Sequence, residues 1–547
     1  MSSAFLDDDG AAQLCLALHG SSVTSLDLSA NLLSPCAMDS LVRLLLGAED
    51  LPLTSLNLAC NSIREAGVFA LCAALQSSNT TLRALDLSDV GVSDSGCADL
   101  GEALAVNCTL QTLSLAGHTA SDRGCELLAR ALSKNRSLTS LDLHGHSLRV
   151  LSVGRVADAG ASALARTLCG EGTTLQELLL GGNRVSDAGA AALAQALAAA
   201  GAASRLRVLG LDLNRLSERC CPALSLALQR SRCLASLDLS HNALGDAGVA
   251  LLAPGLAASS ALVELRLREC ALSAAAMAPL CGALGAHLRL ERLCLAGNRV
   301  GSEGMGPLAA LLARRGCALR ELDLAQCAIG AAGCQLLCAC LKDNSSLAKL
   351  SLGHNGLGAE DEFVAAVTDM LHSNTTIVFL ALDALQPDVA VFGPNLAAAM
   401  RFNRTLHTLI LSSLTRPVLL ERVWGYGRDE LEFTHLDRPD IEVVLFRNLE
   451  LRRRRLRRLL RAVVNIVRAL ARFRKAYYAP RMLGAHRAQQ DFERLVLRSR
   501  RAQGGPAFVA ARACHAETAS GAPAETAGRR ASQPARAAAE LPAFRPA

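Results

Sequence analysis

Aromatic residues make up only 3% of this 547-residue chain, with a single tryptophan, so few rigid anchors exist from which to build a binding hot spot. Lysine is nearly missing: four occur against 52 arginines, a bias broad enough that arginine alone does not signal guanidinium chemistry. There is no G-x-x-x-x-G-K-[ST] loop, which argues against a switch driven by ATP. No run approaches the roughly 20 apolar residues of a membrane span. Met1 to Gly10 carries three aspartates where a targeting signal would carry basic residues. The twenty cysteines are scattered and show no paired C-x-x-C metal spacing, so they are expected to be small buried hydrophobes in a reducing compartment.

What the chain has is a repeat. The spacing L-x-x-L-x-L returns fourteen times, from Val23-Leu26-Leu28 to Leu406-Leu409-Leu411, in steps of 28 to 31 residues with one step of 37. Three residues after most of these comes a small polar side chain: Asn31, Asn61, Asn183, Asn214, Asn242, Asn298 and Asn355, with Cys270 and Cys327 in the same slot. Alternation over so short a span suits one strand per unit, and the slot residue can bond backbone groups left unpaired by the following bend. A segment such as Ser121-Asp122-Arg123-Gly124 then opens a helix, with Leu128 and Leu132 at helical spacing and Asn135 closing it. One such unit cannot bury its own apolar face, so the units are expected to stack around a continuous core of leucine and alanine.

On these residues the chain resembles the ribonuclease-inhibitor-type group of leucine-rich-repeat proteins, which includes the terminal arrays of NOD-like receptors. The resemblance spans roughly residues 10 to 448. It implies an α/β solenoid, a horseshoe with parallel strands on the concave face and helices on the convex face, and protein partners held on the concave face. The expected organisation is a half-repeat cap at 1–20, fourteen units at 21–411, a degenerate terminal repeat or cap at 412–448, a basic amphipathic helix at 449–478 and a mostly disordered basic tail at 479–547. The long fifth repeat places its extra residues near Leu148 to Val156, as a tolerated insertion or a binding loop.

Charge is unevenly placed. Residues 452–475 carry +11 and residues 476–547 carry +6 of a formal total of +6, which leaves −11 on residues 1–451. The basic block consists of Arg452, Arg453, Arg454, Arg455, Arg457, Arg458, Arg461, Arg468, Arg472, Arg474 and Lys475 around an apolar stripe through Leu456, Val463 and Leu470. Four roles stay open for it: an intramolecular contact such as a cap, a helix-binding partner or calmodulin, a membrane surface, or nucleic acid without base-reading specificity.

Candidate chemistry is sparse. Asp27, Asp86, Asp142, Asp238 and Asp323 recur at one strand position and are attributed to a repeated consensus. His144 and His146 form an H-x-H pair attributed to turn filling, because further metal ligands are not in sight. Six N-x-[ST] sequons, at Asn79, Asn107, Asn135, Asn344, Asn374 and Asn403, share one phase and are likewise attributed to the repeat. Units nine to eleven differ in charge from the rest of the strand face, through Glu264, Arg266, Arg268, Glu269, Glu291, Arg292, Arg320, Glu321 and Asp323. That patch either sets partner choice or pairs internally across neighbouring strands. No cofactor or metal is expected, and no enzymatic activity. The leading expectation is a cytoplasmic interaction scaffold, with nucleus and cilium left open. A GTPase activator resembling the Ran GTPase activators is a second reading, although those carry an acidic segment after the repeats where this chain is basic. A cytoskeletal or ciliary linker acting through the basic helix is a third.

Overall fold

The computed structural model describes residues 4–46, 52–77, 81–145, 155–170, 173–287, 289–357, 361–382, 403, 405–406 and 408–410. The chain falls into two compact units, Met1–Arg452 and Arg453–Ala547, and every described residue belongs to the first. The stretch 412–448, the basic block from Arg452 to Lys475, the tail and most of the fifth-repeat insertion lie outside the described residues.

Fourteen three-residue strands form one parallel sheet in sequence order, from Ser25–Asp27 to Thr408–Ile410. Each strand is the x-L-x at the centre of the repeat, and the register lines the central leucines into a row: Leu26 sits opposite Leu56, and Leu380 opposite Leu409. Successive strand residues point to opposite faces, so the leucine goes inward and its two neighbours outward. The repeated leucines merge into one core that runs from Ala11 to Leu406. Curvature follows from two spacings. Parallel strands sit about 4.8 Å apart and packed helices about 8–10 Å apart, so the stack bends with strands on the concave side.

Three ladders of hydrogen bonds, each present in some of the units, tie neighbouring units together. In the first, the slot asparagine spans two units: Asn242 donates Nδ2–H to Leu211 O at 2.9 Å and Leu239 O at 3.0 Å, and its Oδ1 accepts from Leu216 N–H at 3.1 Å. Cys270 and Cys327 keep part of this role, their thiols donating to Leu239 O at 3.2 Å and Leu295 O at 3.1 Å. The residue before the slot is left-handed, which Gly182 adopts freely and Leu213 adopts at φ 51° with strain. In the second ladder, the helix-opening aspartate serves the following unit. Asp94 accepts from both the N–H and the hydroxyl of Ser121 at 2.7 Å, while Ser121 caps its own helix by accepting from Arg123 N–H.

The third ladder explains the sequons. Asn135 is 4% exposed and donates to Leu104 O at 2.7 Å and Asn107 O at 3.0 Å, and its Oδ1 accepts from Ser137 and Leu138 N–H. Asn107, Asn344, Asn374 and Asn403 are buried in the same way. Their amide nitrogens hold adjacent units together and do not face solvent. Asn79 lies outside the described residues.

All nineteen described cysteines are free thiols, and eleven of them are buried. Burial pushes the Cys97 and Cys327 thiols up to about 12, which leaves them protonated and inert. No helix among the described residues is long and apolar enough to cross a membrane.

Candidate binding surface on the strand face

The outward strand positions form a continuous face, and its aspartates first serve the backbone. Oδ1 of Asp238 accepts from Ser240 N–H at 3.0 Å, and Asp27, Asp86, Asp142 and Asp323 accept in the same way from the residue two further on. Each bond fastens the turn that leaves the strand, a role that needs neither a nucleophile nor a proton acceptor.

Asp142 does more, and here the expectation of a turn-filling histidine fails. His144 Nδ1 lies 2.8 Å from Asp142 Oδ1, and His144 Nε2 lies 3.4 Å from Asp212 Oδ1, two units on. The imidazole therefore reaches across unit six, where the intervening outward residue is Gly181. A Cβ on Gly181 would sit 2.5 Å from Asp212 Oδ1 and would clash with His144 Nε2 as well. Burial opposes charge on His144, but the hydrogen bonds and fields of Asp142 and Asp212 outweigh it and raise its pKa to about 10. For Asp142 too, burial is outweighed, by His144 and by the Ser114 hydroxyl at 2.9 Å, and its carboxyl stays below the usual range. A histidine locked as imidazolium cannot act as a base near neutral pH. The cluster is a clasp between units five and seven. His146 lies outside the described residues.

Next to the clasp, Asp238 is pushed up by burial and by the nearby Asp212 carboxylate, despite the Arg266 guanidinium 3.6 Å away. Arg266 begins the charged patch of units nine to eleven, which the structure brings together across three adjacent strands. Glu264 is its centre: Oε1 accepts from Arg266 Nε at 2.6 Å and Oε2 from Arg292 Nη2 at 3.0 Å. Burial disfavours the Glu264 carboxylate, yet the two guanidiniums hold its pKa below the ordinary value. At the rim Arg320 lies 3.8 Å from Glu291, Arg268 lies 3.5 Å from Glu269, and Glu269 is 3.2 Å from His241. Glu321 pairs at 2.8 Å with Lys349 of unit twelve, a residue that the sequence reading did not single out. Asp323 is 4% exposed, and burial raises its pKa. Side-chain charges here are paired both within a unit and across neighbouring strands, while Arg320 keeps 67% of its surface free and Arg266 and Arg292 keep 39% and 40%.

Among the described residues, no group of three or more histidine, cysteine or acidic side chains is arranged to hold a metal ion.

Comparison with known proteins agrees with the repeat. The family model described as "Leucine Rich repeat" matches residues 51–72, 78–101, 173–194, 230–253 and 317–338. Over 200 residues, 36% of this chain, the sequence is 35% identical to the human protein "NACHT, LRR and PYD domains-containing protein 5". Over 105 residues, 19% of the chain, it is 37% identical to the pig "Ribonuclease inhibitor". The match spans 16% of the length of the first relative and 22% of the second. A crystal structure of an internalin from Listeria monocytogenes aligns with a TM-score of 0.37 and 16% identity, over 74% of this chain and 94% of that one. The phased leucines and the bonded ladders form a stacked array that carries leucine-rich repeats, and these matches show its similarity to the pig ribonuclease inhibitor and to the human NACHT, LRR and PYD domains-containing protein.

Proposed function

We propose that this protein is a non-enzymatic scaffold that holds a protein partner on the concave strand face, with the patch of units nine to eleven as its centre. Arrays of this type commonly bind proteins, and one observation favours this part of the face. Arg266, Glu264 and Arg292 form a fixed ion-pair lattice whose two guanidiniums still present roughly two fifths of their surface to solvent. A lattice ordered in advance costs little further entropy on binding and supplies oriented donors to a partner's carboxylates or carbonyls. The non-enzymatic part of the proposal rests on the aspartates being committed to turns and on His144 being held as a cation.

The test has two steps. Proximity labelling with the full chain identifies partners, and the purified partner is then titrated against wild type and an R266E/R292E variant. Loss of two interfacial guanidiniums and creation of like-charge contacts with Glu264 is expected to weaken binding at least tenfold. An unchanged affinity, with the variant still folded, removes this patch as the binding centre.

A further inference from the structure

A helix that is apolar on all sides is normally buried against something. Four consecutive helices of units eight to eleven fit that description: Gly245–Ala258, Met277–Ala286, Met305–Leu312 and Gly330–Leu341. They contain one charged residue, Asp246, whose carboxylate is already engaged by the Ser273 N–H at 2.7 Å and the Ser273 hydroxyl at 2.5 Å. Their inner sides pack into the core through residues such as Leu252, Leu280, Leu308 and Leu337. Their outer sides present Ala250, Leu251 and Pro254, then Ala278 and Gly282, then Ala310, then Leu336 and Ala339, all exposed. Leu251 is 44% and Leu336 49% exposed.

Neighbouring units show that the repeat does not require this. In units three and four the corresponding helices, Asp94–Val106 and Asp122–Leu132, put Glu102, Arg123 and Arg130 on the solvent side. The unit-six helix Asp187–Ala200 is as poor in charge, but the helices on either side of it carry exposed Arg166 and Arg230, so among the described residues a run of four such helices is confined to units eight to eleven. Packed helices about 8–10 Å apart give four of them a width of about 30 Å, and helices of this length add roughly 15 Å in the other direction. The face is thus about 500 Å², at the size where apolar patches on single chains mark interaction sites.

We propose that this convex face pairs with the same face of a second copy of the chain across a two-fold axis. A two-fold contact sets a patch against itself, so a patch of one charge sign repels its own copy, whereas the helices of this one carry a single charge, Asp246, already engaged by Ser273. Twice 500 Å² is about the 1,000 Å² that a specific pair needs, and the outward curvature of both faces keeps the contact near that lower limit. The product is a weak, concentration-dependent homodimer. The four helices themselves carry no lysine or arginine, and Arg314 and Arg315, which follow the third of them, are too few to hold the phosphates of nucleic acid or an anionic bilayer.

Sedimentation equilibrium of the full chain over the micromolar to submillimolar range is the test. The expected result is a mass that rises from one copy to two and persists at high salt, since apolar contacts are not screened. Leu251→Glu with Leu336→Glu should weaken self-association at least tenfold, with the far-UV circular dichroism and the melting curve unchanged because both side chains are exposed. Leu16→Glu, on a leucine of the first helix that is 77% exposed, should leave the dimer intact. A monomer throughout the range overturns the proposal, as does a dimer retained by the double variant. Flotation of a monomeric wild type with zwitterionic vesicles also overturns it, in favour of a lipid surface.

Discussion

The clasp across unit six gives the sharpest quantitative expectation. His144→Ala removes the cation that bonds to both Asp142 and Asp212 and leaves two carboxylates facing one another across Gly181. The folded pKa of His144 is about 10, raised from 6.5. A raised pKa means that protonation favours the folded state, so the clasp contributes fully below about pH 6.5 and its contribution is lost as pH climbs through about 10. At pH 7 most of that 3.5-unit window remains, which at about 1.4 kcal/mol per unit is worth about 4 kcal/mol. Breaking a buried ion pair by removing one partner typically costs about 3–5 kcal/mol, in agreement. Hydrogen exchange of the backbone in residues 140–144 and 208–212 is the assay, because stacked repeats open locally and a global midpoint averages over units. Protection there should fall by roughly 100- to 1,000-fold at pH 7 in the variant, and the difference from wild type should shrink steadily between pH 8 and pH 10. A difference below tenfold, or one that does not change with pH, refutes the reasoning.

Gly181→Ala leaves every charge in place but puts a Cβ where His144 and Asp212 meet, so it should destabilise the same segments by about 1–3 kcal/mol without the alkaline dependence of wild type, measured in the same exchange experiment. Asn242→Ala strips donors from the buried carbonyls of Leu211, Leu239 and Ser240, and a loss of about 2–4 kcal/mol is expected in urea unfolding, whereas Cys270→Ala, which removes weaker thiol donors, should cost less than half as much. His118 fills the asparagine slot of unit four at 4% exposure, with Nε2 bonded to Leu143 O at 3.0 Å and Nδ1 buried without a partner. Burial lowers its pKa, so the unfolded chain binds the proton better, and stability should fall as pH drops below about 6.5. His118→Asn should flatten that acid limb, and an unchanged limb in pH-dependent melts counts against it.

Much of the architecture could be read from spacing because one leucine fixes each strand. Leu26, Leu237 and Leu409 are strand centres in the sequence pattern and in the sheet, and Asn242 bonds across the bend as a short amide in that slot should. The local rule L-x-L determines the face of every residue within a unit, so Glu264, Arg266 and Arg292 could be assigned to one surface in advance. Their pairing could not, since Glu264 and Arg292 meet only through the register of two strands. The clasp stayed hidden for a stronger reason. Asp212 lies 68 positions beyond His144, and the residue that lets them meet, Gly181, acts by having no side chain. A glycine in the turn after its strand, between a histidine and an acid of equivalent phase, was the available signal. The apolar belt of units eight to eleven left a signal of the same kind, an absence of charge on four helices in a row where those of units three and four carry Glu102, Arg123 and Arg130.

The proposed function places a protein partner on the strand face. Hydrogen exchange of this chain with and without its purified partner, at concentrations where a weak homodimer dissociates, tests it most directly. Added protection is expected in residues 264–269, 291–294 and 320–323, with the helices behind them unchanged. Protection confined to the helices, with the strands and their turns unaltered, would contradict it.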